Sequence, residues 1–363
     1  MADTRATANL TPEQWDDKFF TEYLTESRYS GEMGTSENSI IQVKEDLTKK
    51  KGDRVNFALV NKLTQAATTG RDMMEGNEED MTSRSYELAV DKRRNAVRFA
   101  EIDEQYNAFS LREAAKATLK EWSLKDTEAL IEKALGSING TAFTSADQNS
   151  RDAWLVDNRD RVVFGSGYSG TDMSAGLAEL TAGTATELLT TAHIDTMKLY
   201  AVTRANPKIR PVRSASNGRL YYTMYAHPLA FRDLKRDTKI TDAQKDVMLE
   251  MENNRLFQGG DLLWNGVIIK EAHGLYDTMT ITGEGDSSTV VPAFLCGAQA
   301  IGAAYARRWR SKTEEFDYGD KHGVEISAIY GIGKIQFGSG AGDRDDLKDN
   351  GVVTGWFASS TSA

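Results

Sequence analysis

The sequence predicts an α+β fold in which long helices and strands are mixed along one chain. Three observations carry that expectation. Tyr86, Leu88 and Val90 alternate with polar residues at the period of a half-buried strand. Two capping-box pairs, Ser110 with Glu113 and Ser123 with Asp126, each precede apolar residues at helical spacing. The closing runs 324–337 and 352–357 read as strands. At 363 residues and 40.1 kDa the chain exceeds the usual size of a single core, so one large elongated domain or two interleaved ones is expected.

The elements follow in order. Thr11, Pro12 and Gln14 form an N-cap, a first helical residue and the far half of a capping box. Trp15, Phe19 and Tyr23 then recur every four residues, the mark of a short helix with an aromatic face. Polar, glycine-punctuated sequence, the cluster Ile40, Ile41 and Val43, and a charged link come next. So little apolar content cannot make its own core, and the opening reads as an arm laid across something else. The run 57–63 (FALVNKL) is a strand, and Tyr86 opens a second that continues towards Val97 and Phe99, together making a long hairpin. Its connection is far longer than the usual hairpin loop. The tip is acidic, with Glu75, Glu78, Glu79 and Asp80, whereas the returning strand is basic, with Lys92, Arg93, Arg94 and Arg98. Either these are two solvated charged faces, or the tip pairs with another subunit.

Leu111, Ala115, Leu119 and Trp122, then Leu130, Ile131, Ala134 and Leu135, give one long bent helix or two consecutive ones, stopped by Gly136. The stretch 137–183, rich in Gly, Ser, Thr and Ala, reads as loops and short strands, with 161–164 as a strand candidate. Helical spacing marks 187–204, which Asn206-Pro207 ends. The run 219–226 is a strand, His227-Pro228 turns it, and 229–236 restarts as helix. Thr241 and Gln244 cap a further helix that runs to Gly259-Gly260. LLWNGVIIKE is strand-like, and Pro292 starts a helix rich in Ala and Gly. No internal repeat is apparent.

Composition narrows the function. Apolar residues make up 40% and charged ones 27%, which suits a folded soluble protein. The N-terminus lacks the basic-then-apolar order of a secretory signal. The longest uncharged run, 290–306, falls short of the ~20 apolar residues a span needs, so membrane insertion is not expected. A net charge of -10 and a pI near 5.1 argue against gripping nucleic acid through its phosphates. An acidic wall would suit a container for DNA, though it does not imply one. The single cysteine, Cys296, lies in an apolar stretch where it should be buried, consistent with a reducing compartment.

Chemistry-bearing patterns are few. Gly165, Gly167 and Gly170 follow the strand RVVF and match G-x-G-x-x-G, which would seat a pyrophosphate on the next helix N-terminus. That helix would have to start at Thr171 and absorb Gly176, and no second strand ends in an acidic residue at the expected distance. A nicotinamide-dependent oxidoreductase is thus the alternative from the enzyme class. Gly167, Ser169 and Thr171 miss the nucleophile elbow, which needs glycine where Thr171 stands. His193, His227, His273 and His322 are scattered without the local pairing of a zinc site. Asp343, Asp345, Asp346 and Asp349 are acidic enough for calcium, but Leu347 and Lys348 break the EF-hand order, leaving a solvated loop. No catalytic set, metal or cofactor is expected.

Seven segments then share one order: FALVNKLTQAATTGRDMMEGNEE, RLYYTMYAHPLAFRDLKRD, LLWNGVIIKE, FLCGAQAIGAAYARR, FDYG, ISAIYGIGKIQF and GVVTGWFAS. Together they resemble the major capsid proteins of tailed bacteriophages, in the branch found in N-four-like phages. The likeness runs from about residue 57 onward and is poor before Val55 and over 137–183. It implies the Hong Kong 97-type capsid fold: an N-terminal arm over 1–56, an extended loop over 57–100 and a spine helix within 101–136. A mainly axial domain over 137–325 and closing strands of the peripheral domain over 326–363 complete it. The function so implied is a structural subunit, not an enzyme, that forms hexamers and pentamers of an icosahedral head around double-stranded DNA, without sequence-specific binding. Portal, scaffold and decoration proteins would be its other partners. The virion capsid would be its location, after synthesis and assembly in the bacterial cytoplasm. An encapsulin-like nanocompartment shell is the alternative that keeps the fold. Such a subunit works through heterologous contacts around symmetry axes. The residues expected in them are Glu75, Glu78, Glu79 and Asp80 against Arg93, Arg94 and Arg98, together with Trp15 and Phe19 of the arm.

Overall fold

The computed structural model describes residues 29–45, 52–71, 73–107, 110–180, 186–214, 218–247, 257–258, 261–282, 289–340 and 342–360. Two compact units divide the described residues: one draws on 91–127 and 307–330, the other on 29–90, 128–306 and 331–360. The helix expected at Trp15 and Phe19 lies outside the described residues.

The larger unit is organised by a nine-stranded mixed sheet. Its path runs Phe257–Gln258, Asp261–Trp264, Val267–Glu271, Leu220–Ala226, Thr289–Cys296, Val352–Ser359 and Val162–Phe164. Val212–Arg213 pairs with Leu220–Ala226, and Ile281–Thr282 with Thr289–Cys296. The central strands are buried on both faces: every residue of Val352–Ser359 is buried, as are Val290 to Cys296. Met197, Met224, Phe231, Leu262, Ile269, Leu295, Val353 and Phe357 meet in its core. Cys296 is fully buried, as its setting predicts, and burial pushes its thiol pKa up, so it packs as a small apolar side chain.

Thr289–Cys296 is a strand, not a helix begun by Pro292. A run apolar on both faces carries no period, and length alone does not separate it from a buried helix. Pro292 sits just beyond the last pair with the neighbouring strand, Ala226↔Ala293, so its missing N–H leaves that ladder intact, while its carbonyl accepts from His227 N at 3.2 Å. The following Ala- and Gly-rich run is also a strand, Ile301–Phe316, and it opens in parallel with Ile41–Lys44. Two helices occupy the region read as loops. Gln148–Asp157 is capped by Asp147, whose carboxylate accepts from Ser150 N at 3.3 Å, and Met173–Leu180 follows Asp172. Helix Thr238–Val247 starts three residues before Thr241, capped by Asp237 through Lys239 N at 3.2 Å. LLWNGVIIKE is a hairpin: Asn265 (φ 44) and Gly266 (φ 74) are both left-handed, the turn that matches strand twist.

The smaller unit holds strand Asp91–Ala100 antiparallel to the 321–330 part of Lys321–Lys334, which neighbours Ile301–Phe316. Leu119, from the helix Leu111–Leu135, packs with Val324 and Ile326 and is flanked by Phe99 and Trp309. That helix is continuous over 25 residues. Ser110 performs the cap expected of it, accepting from Glu113 N at 3.4 Å, and Gly136 follows the last residue. Ser123 caps nothing; its hydroxyl donates to Lys120 O at 2.6 Å, the back-bond of a mid-helix serine.

Candidate assembly surfaces

The first surface is the hairpin Arg54–Val60 with Ser83–Ala89, paired in register from Arg54↔Ala89 to Val60↔Ser83. Alternation turns Val55 and Phe57 inward with Leu88, against Ala304, Ile335 and Phe337. Lys44 Nζ lies 4.6 Å over the Phe57 ring and donates to Asn56 O at 2.8 Å. The outward ion pair Arg54–Glu87 at 2.8 Å is solvent-exposed on both sides, so water screens it. Asp343 ties the returning strand down by accepting from Ser85 N at 2.8 Å and Ser85 Oγ at 3.0 Å. The second strand does not run on to Phe99: it stops at Ala89, Val90 N donates to Asp53 O at 3.0 Å, and Asp91–Ala100 is a separate strand. Gly331 explains the close approach there, since a Cβ would collide with Ala89 O.

Residues 61–82 form the tip. Glu79 organises it from inside, accepting from Thr64 N at 2.8 Å and Gln65 N at 2.8 Å, and these amides hold its carboxyl below the usual range. Glu78 takes Gly76 N at 2.7 Å, whereas Glu75 and Asp80 stand exposed. Met73, Met74 and Met81 are exposed as well, at 70%, 60% and 73%. Charge patterning alone does not single out these methionines. Their signal is an apolar pair, Met73-Met74, inside a polar run, and methionine suits an adaptable contact surface.

The second surface is the basic strand. Arg93 is engaged within its own chain, forking onto Asp126 with both nitrogens at 2.6 Å, and Tyr330 Oη donates to the same carboxylate at 2.8 Å. Nearby, Trp309 meets Trp122 at 5.8 Å and Tyr330 at 5.6 Å, both edge-to-face. Arg94 and Arg98 are exposed. The structure therefore gathers the four acidic residues in one loop and the arginines on one strand, with Glu79 and Arg93 already committed locally.

The glycine pattern has structural work of its own. Gly165 is pressed against Glu187 O, where a Cβ would collide, and its N–H donates to Trp356 O at 2.8 Å. Gly167 turns the chain at φ 79. The helix after it begins at Met173, not Thr171, and Asp172 Oδ1 already accepts from Ala175 N at 3.0 Å and Ser174 Oγ at 2.7 Å. A carboxylate in that place repels the phosphate the motif would need. We expect no saturable nicotinamide-cofactor binding in a fluorescence titration, and Gly167→Ala to alter loop order or assembly without a catalytic phenotype. Micromolar binding abolished by that substitution would reverse this.

His227 and His193 serve packing and capping. His227, buried, accepts from Leu229 N at 3.2 Å and bonds Thr280 Oγ1 at 3.0 Å, and burial pulls its pKa down to about 4. His193 bonds Thr190 Oγ1 at 3.0 Å. The 343–349 carboxylates have separate partners: Asp343 has Ser85, Asp346 accepts from Ser339 Oγ at 3.0 Å, and Asp349 pairs with Lys334 at 2.7 Å. No helix among the described residues is long and apolar enough to cross a membrane.

The hairpin tip thus presents exposed acidic residues and methionines, and the strand Asp91–Ala100 presents exposed arginines. The family model described as Phage capsid protein matches residues 6–359. The chain belongs to the phage capsid protein family. As a capsid protein it is 26% identical to the major capsid protein of Pseudomonas phage KPP25, over 97% of this chain and 96% of that one. Its fold is similar throughout to the capsid asymmetric unit of cyanophage Pam1, with TM-score 0.84, 29% identity and 100% of each chain covered. The capsid of Ralstonia phage GP4 shares the fold at TM-score 0.75 and 21% identity, over 99% of each chain. The expected mixed helix-and-strand capsid fold is therefore met.

Proposed function

We infer that this capsid protein is the major structural subunit of a tailed-phage head, self-assembling into a closed shell around double-stranded DNA. The observation that carries the reading is the end-to-end likeness to the cyanophage Pam1 capsid subunit in both sequence and fold. Hexamers and pentamers of an icosahedral shell of the Hong Kong 97 type are the arrangement proposed, with portal and scaffold proteins as further partners. In that arrangement the hairpin of Arg54–Val60 with Ser83–Ala89 serves as the extended loop expected over 57–100, the helix within 101–136 as the spine, 1–56 as the arm, most of 137–325 as the axial domain and 326–363 as closing strands of the peripheral domain. Its work lies in contacts and not in catalysis. The acidic balance of -10 supports an inner wall that does not adhere to DNA, and a lone buried thiol supports assembly in the host cytoplasm.

Between subunits, the exposed Glu75, Glu78 and Asp80 meet Arg94 and Arg98 of a neighbour, with Met73, Met74 and Met81 supplying apolar contact. Complementary charge sets register more than affinity. At near-physiological salt the purified chain is expected to sediment as capsomer-sized rings or closed particles, visible by electron microscopy. A monodisperse monomer under every assembly condition tried would overturn the reading.

A further inference from the structure

We propose that Glu132 is a proton-operated latch at the place where the chain enters its nine-stranded unit: when protonated it keeps Tyr29 seated, and when ionised it lets the turn around Tyr29 open. The geometry is that of a closed latch. Tyr29 is 2% exposed, its ring centroid lies 5.0 Å from that of Tyr225, and its hydroxyl donates to Glu132 Oε1 at 3.1 Å across 103 residues of sequence. Glu132 is itself buried on the last turns of Leu111–Leu135. Gly274 N donates to the same carboxyl, and Gly274 is glycine for cause, because a Cβ would collide with that group.

The charged groups around the latch are lopsided. Glu128 lies one turn earlier on the same helix, Glu32 comes from the turn after Tyr29, and Asp277 from the helix Leu275–Met279. The nearby cation Lys270 sits on Glu32 at 3.0 Å, and His273 faces Glu271 at 3.4 Å. Glu132 thus receives neutral donors while carboxylates surround it, and burial adds its own bias against charge. These causes, burial first, push its pKa up to about 7, and burial keeps the Tyr29 hydroxyl protonated.

The sign follows from linkage. A carboxyl raised above its ordinary ~4.3 stabilises the closed form fully at low pH, and that stabilisation is lost as pH rises through the raised value. Opening of the Tyr29 turn is therefore expected to increase about tenfold between pH 6 and pH 8 for an open form with an ordinary carboxyl. Hydrogen exchange of the full chain, corrected for intrinsic rates and read at residues 29–33 and at Gly274, measures it. Glu132→Gln should remove the pH dependence, and Tyr29→Phe should raise opening at both pH values. An unchanged opening from pH 6 to pH 8, or the same tenfold rise in Glu132→Gln, overturns the latch. Should Glu132→Gln fail to fold, carbon NMR titration of the Glu132 carboxyl in the wild-type chain decides: a midpoint near 4 refutes the proposal and one near 7 supports it.

Discussion

Lys334→Met should destabilise the larger unit by about 3–5 kcal/mol, the usual result of stripping one partner from a buried ion pair. Lys334 Nζ lies 2.7 Å from Asp349 Oδ2, with side chains only 2% and 1% exposed, and it stands 5.4 Å from the Trp154 ring centroid. Methionine fills much of the same space, so the cost comes from charge. The Asp349 carboxylate would keep the Gln336 amide at 2.6 Å but lose its counter-ion. Around it the backbone is fixed, since Asp349 N donates to Asn158 Oδ1 at 2.8 Å and Asp349 O accepts from buried Arg161. Urea unfolding under non-assembling conditions reads the loss. The double variant Lys334→Met with Asp349→Asn removes both charges and should recover much of it. A single variant within 1 kcal/mol of wild type, as typical of surface changes (about ±0.5), would show that the pair is not a structural tie.

Reversing the tip charge should abolish shell formation while leaving the subunit folded. Glu75→Lys with Asp80→Lys changes exposed residues that make none of the loop's own bonds described above, so monomer stability should move by no more than about 0.5 kcal/mol. Each lost pair is worth only ~0.2–1 kcal/mol, but a closed shell repeats the defect at every equivalent contact. Particle yield by sedimentation is the measure, and Arg94→Glu with Arg98→Glu on the same chain should restore it. Unchanged yield and salt dependence would remove the tip from the interface. Glu79→Gln is a different experiment, because Glu79 holds Thr64 and Gln65 amides and its loss loosens the loop itself.

Where period and capping agreed, the sequence was readable. Alternation placed Phe57, Tyr86 and Leu88 in a paired hairpin, and Ser110 with Glu113 marked the start of the long helix. Reading failed where local signals competed with burial. Pro292 and its small neighbours imitate a helix start, yet the strand is decided by Val352–Ser359 lying against it, information that sits some sixty residues away (Pro292↔Trp356). Helices Gln148–Asp157 and Met173–Leu180 were hidden by glycine and serine around them, although Asp147 and Asp172 were available as caps. Composition showed the acidic loop and basic strand but not that Glu79 and Arg93 are spoken for, because hydrogen-bond partners such as Asp126 are set by tertiary structure. The latch around Glu132 joins residues 29, 132 and 274, and no window of sequence contains it.

The position of Val352–Ser359 has a consequence in time. It is the last strand of its sheet in chain order, yet it lies between Thr289–Cys296 and Val162–Phe164, pairing with one antiparallel and the other parallel. Until residues through Ser359 have left the ribosome, two earlier strands have a gap between them where their keystone belongs. Such long-range closure is slow compared with local helix formation. A growing chain therefore cannot complete the core of its larger unit, and synthesis is separated from addition to a shell by the topology of the sheet itself.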